Sequence, residues 1–233
     1  MLLSELQSTQ VVVYIIDATS IDKHYDQLRR GLSSEDTTRL ERYTNAVARS
    51  MFLASRGALR FLLGQMLATS PAKVEIATHE HGKPYLPAHP ELFFNISHSR
   101  DIALIAFARE AVGIDVEYAG RQVDYAAVMR RFFSESERQE WAKYSQPTPQ
   151  QAFFRGWTRK EAVLKATGEG IAGLGHTVIS FRPDEPRALH TRLGEQSQGQ
   201  NWLFQDFSPA TGYQAAVALQ APALRLTLQA FSL

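Results

Sequence analysis

The sequence predicts an α+β fold made of two similar halves related by pseudo-twofold symmetry, residues 1–110 and 111–233. Two observations carry this. Apolar patterning runs strand, helices, strands, and then strand, helices, strands again after a junction near Glu110. A chain of 233 residues that is 44% hydrophobic also has enough material for one large core or two small ones. No internal sequence repeat accompanies the symmetry.

Val11–Asp17 reads as a buried strand, and Asp22–Ala68 as helical. Within the helical part, Ser33-Ser34-Glu35-Asp36 supplies capping oxygens and first-turn acids. From Ala46 to Ala68 the apolar positions Val47, Met51, Ala54, Ala58, Leu62 and Met66 recur every three or four residues, the period of an amphipathic helix. Arg49, Arg56 and Arg60 fall on one line of that helix and read first as a solvated face. Val74–Thr78 follows as a short strand, then a turn-rich His81–Pro87. Leu92–Ser97 and Ile102–Ala108 form a hairpin about Ser97–Asp101, and Ala111–Tyr118 is another strand. Ser134 with Glu137 makes a capping box that opens a helix through Lys143, and Ser145–Gln150 is a loop. Phe153–Thr167 is a helix stopped by Gly168. Strand-like runs at Thr177–Phe181, Trp202–Phe207, Gln214–Leu219 and Leu224–Phe231 complete the chain, with a long polar loop over 183–201.

Composition excludes several classes. Basic and acidic side chains number 25 and 24, so neither a disordered tail nor a non-specific nucleic-acid binder is indicated. There is no cysteine, which removes disulfide frameworks, thiolate zinc sites and cysteine nucleophiles. Val11–Ile16 and Ile102–Ala108 are the longest apolar runs, too short to span a bilayer, and no basic region of a secretory signal precedes them. A cytoplasmic location, no membrane and no nucleic-acid partner are expected.

Two segments could carry chemistry. In Gly113-Ile114-Asp115-Val116-Glu117 the strand period puts Val112, Ile114 and Val116 on one face and both acids on the other. Paired carboxylates beside a glycine are a hard-oxygen site suited to magnesium, or else ordinary solvated acids that need a cation nearby. In the helix, at about 100° per residue, Phe154, Trp157, Glu161, Leu164 and Lys165 share one side. Glu161 and Lys165 are then either inward groups bound to a metal or a partner, or a surface pair four residues apart. His98 within Asn95-Ile96-Ser97-His98-Ser99 is either structural or functional. Gly168-Glu169-Gly170-Ile171-Ala172-Gly173 has dinucleotide-fingerprint spacing, but it follows a helix and precedes strands, so it is a helix stop and turn. There is no phosphate loop of the P-loop type and no serine-hydrolase elbow, and His79 with His81, the nearest to a zinc-ligand pair, has no obvious third ligand.

Taken in order, Gly82-Lys83-Pro84, Phe94-Asn95-Ile96-Ser97-His98-Ser99, Gly113-Ile114-Asp115-Val116-Glu117, Arg131-Phe132-Phe133-Ser134 and Trp157-Thr158-Arg159-Lys160-Glu161-Ala162-x-x-Lys165 resemble the motifs of the Sfp-type 4'-phosphopantetheinyl transferases. The resemblance covers roughly residues 28–175. It implies the fold of that family, with nucleotide contacts of coenzyme A in residues 1–110 and a magnesium site and catalytic helix in 111–233. It implies transfer of the phosphopantetheine arm of coenzyme A to a serine of an apo acyl or peptidyl carrier protein, with release of adenosine 3',5'-bisphosphate. By the same resemblance Asp115, Glu117 and Glu161 are magnesium ligands and Glu161 is the candidate general base. Lys165 meets the departing phosphate, and Lys83, Ser97, His98, Arg49 and Arg56 bind the nucleotide and its phosphates. Two complete halves in one chain would make a monomer sufficient. The alternatives are a magnesium-dependent pyrophosphate hydrolase and a non-catalytic coenzyme A or nucleotide-binding module. Phe132 and Phe133 read as core, or as an aromatic surface for the carrier.

Overall fold

The computed structural model describes residues 2–145, 148–182, 187–190 and 200–233. The apolar run near the start forms β1 (Gln10–Asp17), buried on both faces. The helical stretch that follows is divided into α1 (Tyr25–Arg30), α2 (Ser34–Glu41) and α3 (Ala46–Met66), after a 3-10 turn at Ala18–His24. The divisions have a local cause. Ser33 Oγ accepts from the Asp36 N–H at 3.2 Å and Asn45 Oδ1 from the Ala48 N–H at 3.0 Å. Each cap needs an extended backbone at its own position, which interrupts a continuous helix there.

Met51, Ala54, Ala58, Leu62 and Met66 are buried as their spacing predicts, but Val47, in the first turn of α3, is 67% exposed. The strand expected over Val74–Thr78 shrinks to β2 (Ala77–Thr78), paired with β3 (Pro84–Tyr85). Val74 instead follows a 3-10 turn at Pro71–Lys73 and is buried. β4 (Phe93–Ser99) and β5 (Ile102–Ala108) form the expected hairpin, turning tightly at Arg100 with φ +48°. β6 (Val112–Tyr118), α4 (Tyr125–Phe132), α5 (Glu135–Tyr144) and α6 (Pro149–Thr167) follow. α6 begins inside the stretch expected as loop, since proline in the first turn forfeits no hydrogen bond. It ends at Gly168, whose φ of +78° suits a residue without a Cβ.

The tail gives β7 (Thr177–Ile179), β8 (Arg187–His190), β9 (Gln200–Phe207), β10 (Tyr213–Leu219) and β11 (Arg225–Ala230). The polar segment expected as one loop over 183–201 therefore contains β8 and the start of β9. Strand pairing on both sides of β8 overrides its composition. Residues 183–186 and 191–199 of that segment lie outside the described residues.

The strands make two main sheets, ordered β11-β1-β5-β4 and β6-β10-β9-β8-β7. β11 lies parallel to β1, so the last strand closes the first sheet. Alternation sorts the side chains into three apolar clusters. Val12, Tyr14, Ile16, Ala103, Ile105 and Phe107 face α1–α3. Ala216, Ala218, Trp202 and Phe204 face α4–α6. Val11, Val13, Leu104 and Ala106 of the first sheet meet Val112, Ile114, Val116 and Val217 of the second in a cluster between the sheets. The result is a mixed α/β molecule in four layers, helices outermost.

Charge is also buried. Asp36 of α2 accepts from Arg56 Nε at 2.8 Å and from Arg60 Nε, and Arg60 also donates to the Pro71 and Val74 carbonyls at 3.0 and 2.9 Å. Arg60 is 4% exposed, so the arginine line of α3 is not a solvated face. Burial alone would raise the Asp36 carboxyl, yet Arg56 and Arg60 together hold it below its usual value. A depressed carboxylate pKa means the unfolded chain binds more protons in that window, so stability is complete above the unfolded pKa of about 3.9 and is lost as pH falls through the folded value. Replacing Asp36 with Ala leaves Arg60 buried without its counter-charge. Urea unfolding is expected to show a loss of about 3–5 kcal/mol at neutral pH and a flatter acid limb between pH 4 and lower.

Candidate active site

The site is built on the free edge of β6. One side of this strand pairs with β10; the other faces β4, which belongs to the other sheet. The edge N–H groups of Ile114, Val116 and Tyr118 donate to Asn95 Oδ1, Ser97 Oγ and Ser99 Oγ at 3.0, 3.2 and 3.0 Å. The two serines pass their own protons on, Ser97 to Asp115 Oδ1 at 2.9 Å and Ser99 to Glu117 Oε2 at 3.3 Å.

Gly113, Asp115 and Glu117 face α6, as the strand period predicts. At Gly113 a Cβ would stand 1.9 Å from the Ala162 carbonyl oxygen and 2.5 Å from the Ala166 nitrogen. The absent side chain is what lets α6 lie directly on β6. Glu161 and Lys165, each one residue before these contacts and one helical turn apart, then lie over the two acids. Lys165 Nζ donates to Asp115 Oδ1 at 2.6 Å and to Ser97 Oγ at 2.8 Å. Ser97 Oγ thus accepts twice and donates once, which is its full capacity. Arg121 holds the other Glu117 oxygen at 2.8 Å.

The electrostatics are those of crowded acids. Glu117 is raised above its usual value by burial and by Asp115; Glu161 is raised by burial, then by Asp115 and Glu117. Asp115 Oδ2 is buried with no hydrogen-bond partner, and the Glu161 side chain makes no hydrogen bond among the described residues. An orphaned buried carboxylate oxygen among two further carboxylates is a donor set that fits a hard divalent cation. As they stand, Asp115, Glu117 and Glu161 do not gather into a closed cage among the described residues. A magnesium ion does not require one, since water and substrate phosphate can complete its shell.

The other expected residues are distributed around this cluster. His98 lies on the opposite face of β4, where partial loss of water and the Lys165 charge hold its imidazole below the ordinary value. It lines a cavity of about 270 Å³ with Arg39, Tyr43 and Arg56. Arg39 and Tyr43 also line a cavity of about 500 Å³ with Glu35 and Arg42. Arginines outnumber acids along the two cavities, although Arg56 is already paired with Asp36. Arg49 lines neither cavity and reaches Tyr25 Oη at 3.5 Å. Ser97 spends its hydroxyl within the protein. Lys83 donates to the Ala166 carbonyl at the end of α6, where its charge suits the helix dipole, and burial lowers its pKa to about 8. It borders a separate cavity of about 550 Å³ with His79, Tyr85 and Trp202.

Sequence reasoning missed Arg39 and Arg42, although their spacing of three on a helix places them together. It also missed the deepest charges of α6. Lys160, 1% exposed, bonds Glu137 Oε2 at 3.0 Å and the Thr177 and Phe132 carbonyls at 2.7 and 3.1 Å. Arg159 is likewise buried and bonds Asp206 Oδ1 at 2.9 Å. Glu137, expected only as a capping-box acid, is that cap and a buried counter-ion as well. Phe133 is core, packed on Trp157 and Phe181; Phe132 is half-buried against Trp157.

Comparison with known proteins gives one consistent result. Residues 19–110 match the family described as 4'-phosphopantetheinyl transferase, N-terminal, and residues 111–218 match the 4'-phosphopantetheinyl transferase superfamily. The chain is 35% identical to the 4'-phosphopantetheinyl transferase HetI of Nostoc sp., over 92% of this chain and 89% of that protein. It is 31% identical to the 4'-phosphopantetheinyl transferase psf-1 of Bacillus pumilus, over 89% and 87%. It is 29% identical to the 4'-phosphopantetheinyl transferase Sfp of Bacillus subtilis, over 61% and 68%.

The contact at Gly113 is open to test. Gly113→Ala is expected to lift α6 from β6, costing about 1–3 kcal/mol or more in thermal or urea unfolding and lowering activity further than stability alone would.

Proposed function

This chain belongs to the 4'-phosphopantetheinyl transferase superfamily, and we propose from its site how it works. It transfers the 4'-phosphopantetheine group of coenzyme A to a serine hydroxyl of an apo acyl or peptidyl carrier protein. The observation that carries the mechanistic reading is the cluster of Asp115, Glu117 and Glu161 under Lys165, beside the cavities lined by Arg39, Arg42, Arg56 and His98.

Asp115, Glu117 and Glu161 would hold magnesium, with Asp115 Oδ2 as the buried oxygen that lacks any other partner. When bound, magnesium supplies Lewis-acid stabilisation of the diphosphate oxygens. Glu161 would accept the proton of the carrier serine as its oxygen forms a bond to the proximal phosphorus. The bond from that phosphorus to the bridging oxygen breaks, and adenosine 3',5'-bisphosphate leaves. Lys165 offers its ammonium to the charge that develops on the departing oxygen. Arg39, Arg42, Arg56 and His98 receive the nucleotide phosphates, Ser97 orients Asp115, and Lys83 steadies the end of α6. Arg49 is left outside this reading.

Residues 1–110 would supply the nucleotide contacts and 111–233 the metal and catalytic helix, as two halves related by pseudo-twofold symmetry. The meeting of the two family matches at 110/111 supports that division, as does a sheet with helices on its outer face on each side of the central cluster. Both walls of the site come from one chain, which supports a monomer. No described helix is long and apolar enough to cross a membrane, and the cysteine-free composition suits the reducing cytoplasm.

The direct test is the intact mass of an apo carrier protein after incubation with this protein, coenzyme A and magnesium. A gain of about 340 Da, the phosphopantetheine group, that disappears with EDTA is expected. Hydrolysed coenzyme A without a gain on any of several carriers would favour a hydrolase, and neither product would favour a binding module. In the same assay Asp115→Ala and Glu161→Ala should abolish transfer in folded protein. Lys165→Ala should lower kcat by about a hundredfold with a smaller effect on KM for coenzyme A. His98→Ala should chiefly raise that KM.

A further inference from the structure

We propose that Asn95, Ser97 and Ser99 serve as a strand made of side chains, and that Ser99 is a positioning residue for Glu117. Each of these residues is bonded to the N–H of the residue nineteen positions later, at 3.0, 3.2 and 3.0 Å. The three bonds therefore share one register along β6. β4 pairs its backbone with β5 along one edge, and the bonds that reach β6 come from its side chains. A slip of one residue would turn Asp115 and Glu117 into the apolar cluster between the sheets, and the ladder forbids it.

The choice of residue at each rung follows from what stands beside the N–H it caps. Ser97 caps Val116 and faces the Asp115 carboxylate; Ser99 caps Tyr118 and faces the Glu117 carboxylate. A hydroxyl that accepts from the backbone has one proton left, and in both cases that proton goes to the acid. Asn95 caps Ile114, where the neighbour is Gly113 and no acid needs a donor. Ser99 and Arg121 together hold one Glu117 oxygen each, the serine from the buried side and the arginine from the exposed side. Ser99 thereby fixes which way Glu117 points before any cation arrives.

This rests on the reading of Asp115 and Glu117 as divalent-cation ligands, and the test separates the two. Manganese(II) alone, without coenzyme A or carrier, is titrated into wild type, Asp115→Asn, Ser99→Ala and Ser99→Thr and followed by its electron spin resonance signal. Ser99→Ala is expected to bind manganese about tenfold more weakly, the usual effect of removing a ligand's hydrogen-bond support, and Ser99→Thr to recover wild-type binding. A merely structural serine would lower the unfolding midpoint without moving the affinity of the folded protein. Ser99→Cys keeps nearly the volume of serine but only a weak donor, and carries the test if Ser99→Ala does not fold. Unchanged affinity in the Ser99 variants, with binding lost in Asp115→Asn, overturns the positioning role alone. Equal binding by wild type and Asp115→Asn, or none by wild type, overturns the cation reading and this proposal with it.

Discussion

A buried strand edge must find partners for its N–H groups, and that constraint at β6 organises the rest of the molecule. The strand completes one sheet but stands against the edge strand of another, and the two are not paired backbone to backbone. An unpaired buried amide costs on the order of 1–3 kcal/mol, so three in a row would be untenable. Alternate side chains of β4 take them up instead. The solution joins the two sheets at a fixed register, and its leftover hydroxyl protons point at the carboxylates of the site. Assembly of the fold and orientation of the acids are therefore one event.

The acids in turn depend on how closely α6 approaches. With no side chain at Gly113, the helix rests on the strand, and Lys165 reaches Asp115 while Glu161 crowds it. Close like charges are tolerable only because the helix cannot back away. Lys160 and Arg159, buried on the rest of its surface, fasten it to Glu137, Asp206 and the carbonyls around β7. Removing one partner from such a pair leaves a charge stranded in the core, so these contacts specify one helix position more than they add net stability.

The strand alternation at 112–118, the stop at Gly168 and the capping box at Ser134 were legible, because each depends on neighbours within one element. What escaped depends on partners far along the chain. Arg60 reads as one of three aligned arginines until Asp36, on another helix, is seen to cover it. Asp36 itself reads as a first-turn acid. Lys160 looks like any exposed helical lysine, since period alone cannot show that a helix is buried on nearly every side. Asn95 and Ser99 look like polar residues at a strand end until β6 is placed beside them. β8 was hidden by polar composition that pairing on both sides overrides.

The parallel pairing of β11 with β1 has a kinetic consequence. Residues such as Gln10 and Arg225 are neighbours, so the first sheet closes across nearly the whole chain. Loop-closure entropy must be overcome before that contact brings any return, which makes it a high-contact-order, late step. During synthesis β1 must wait with one edge open while everything between is translated. Its apolar run is then the segment most exposed to mispairing and most in need of a chaperone.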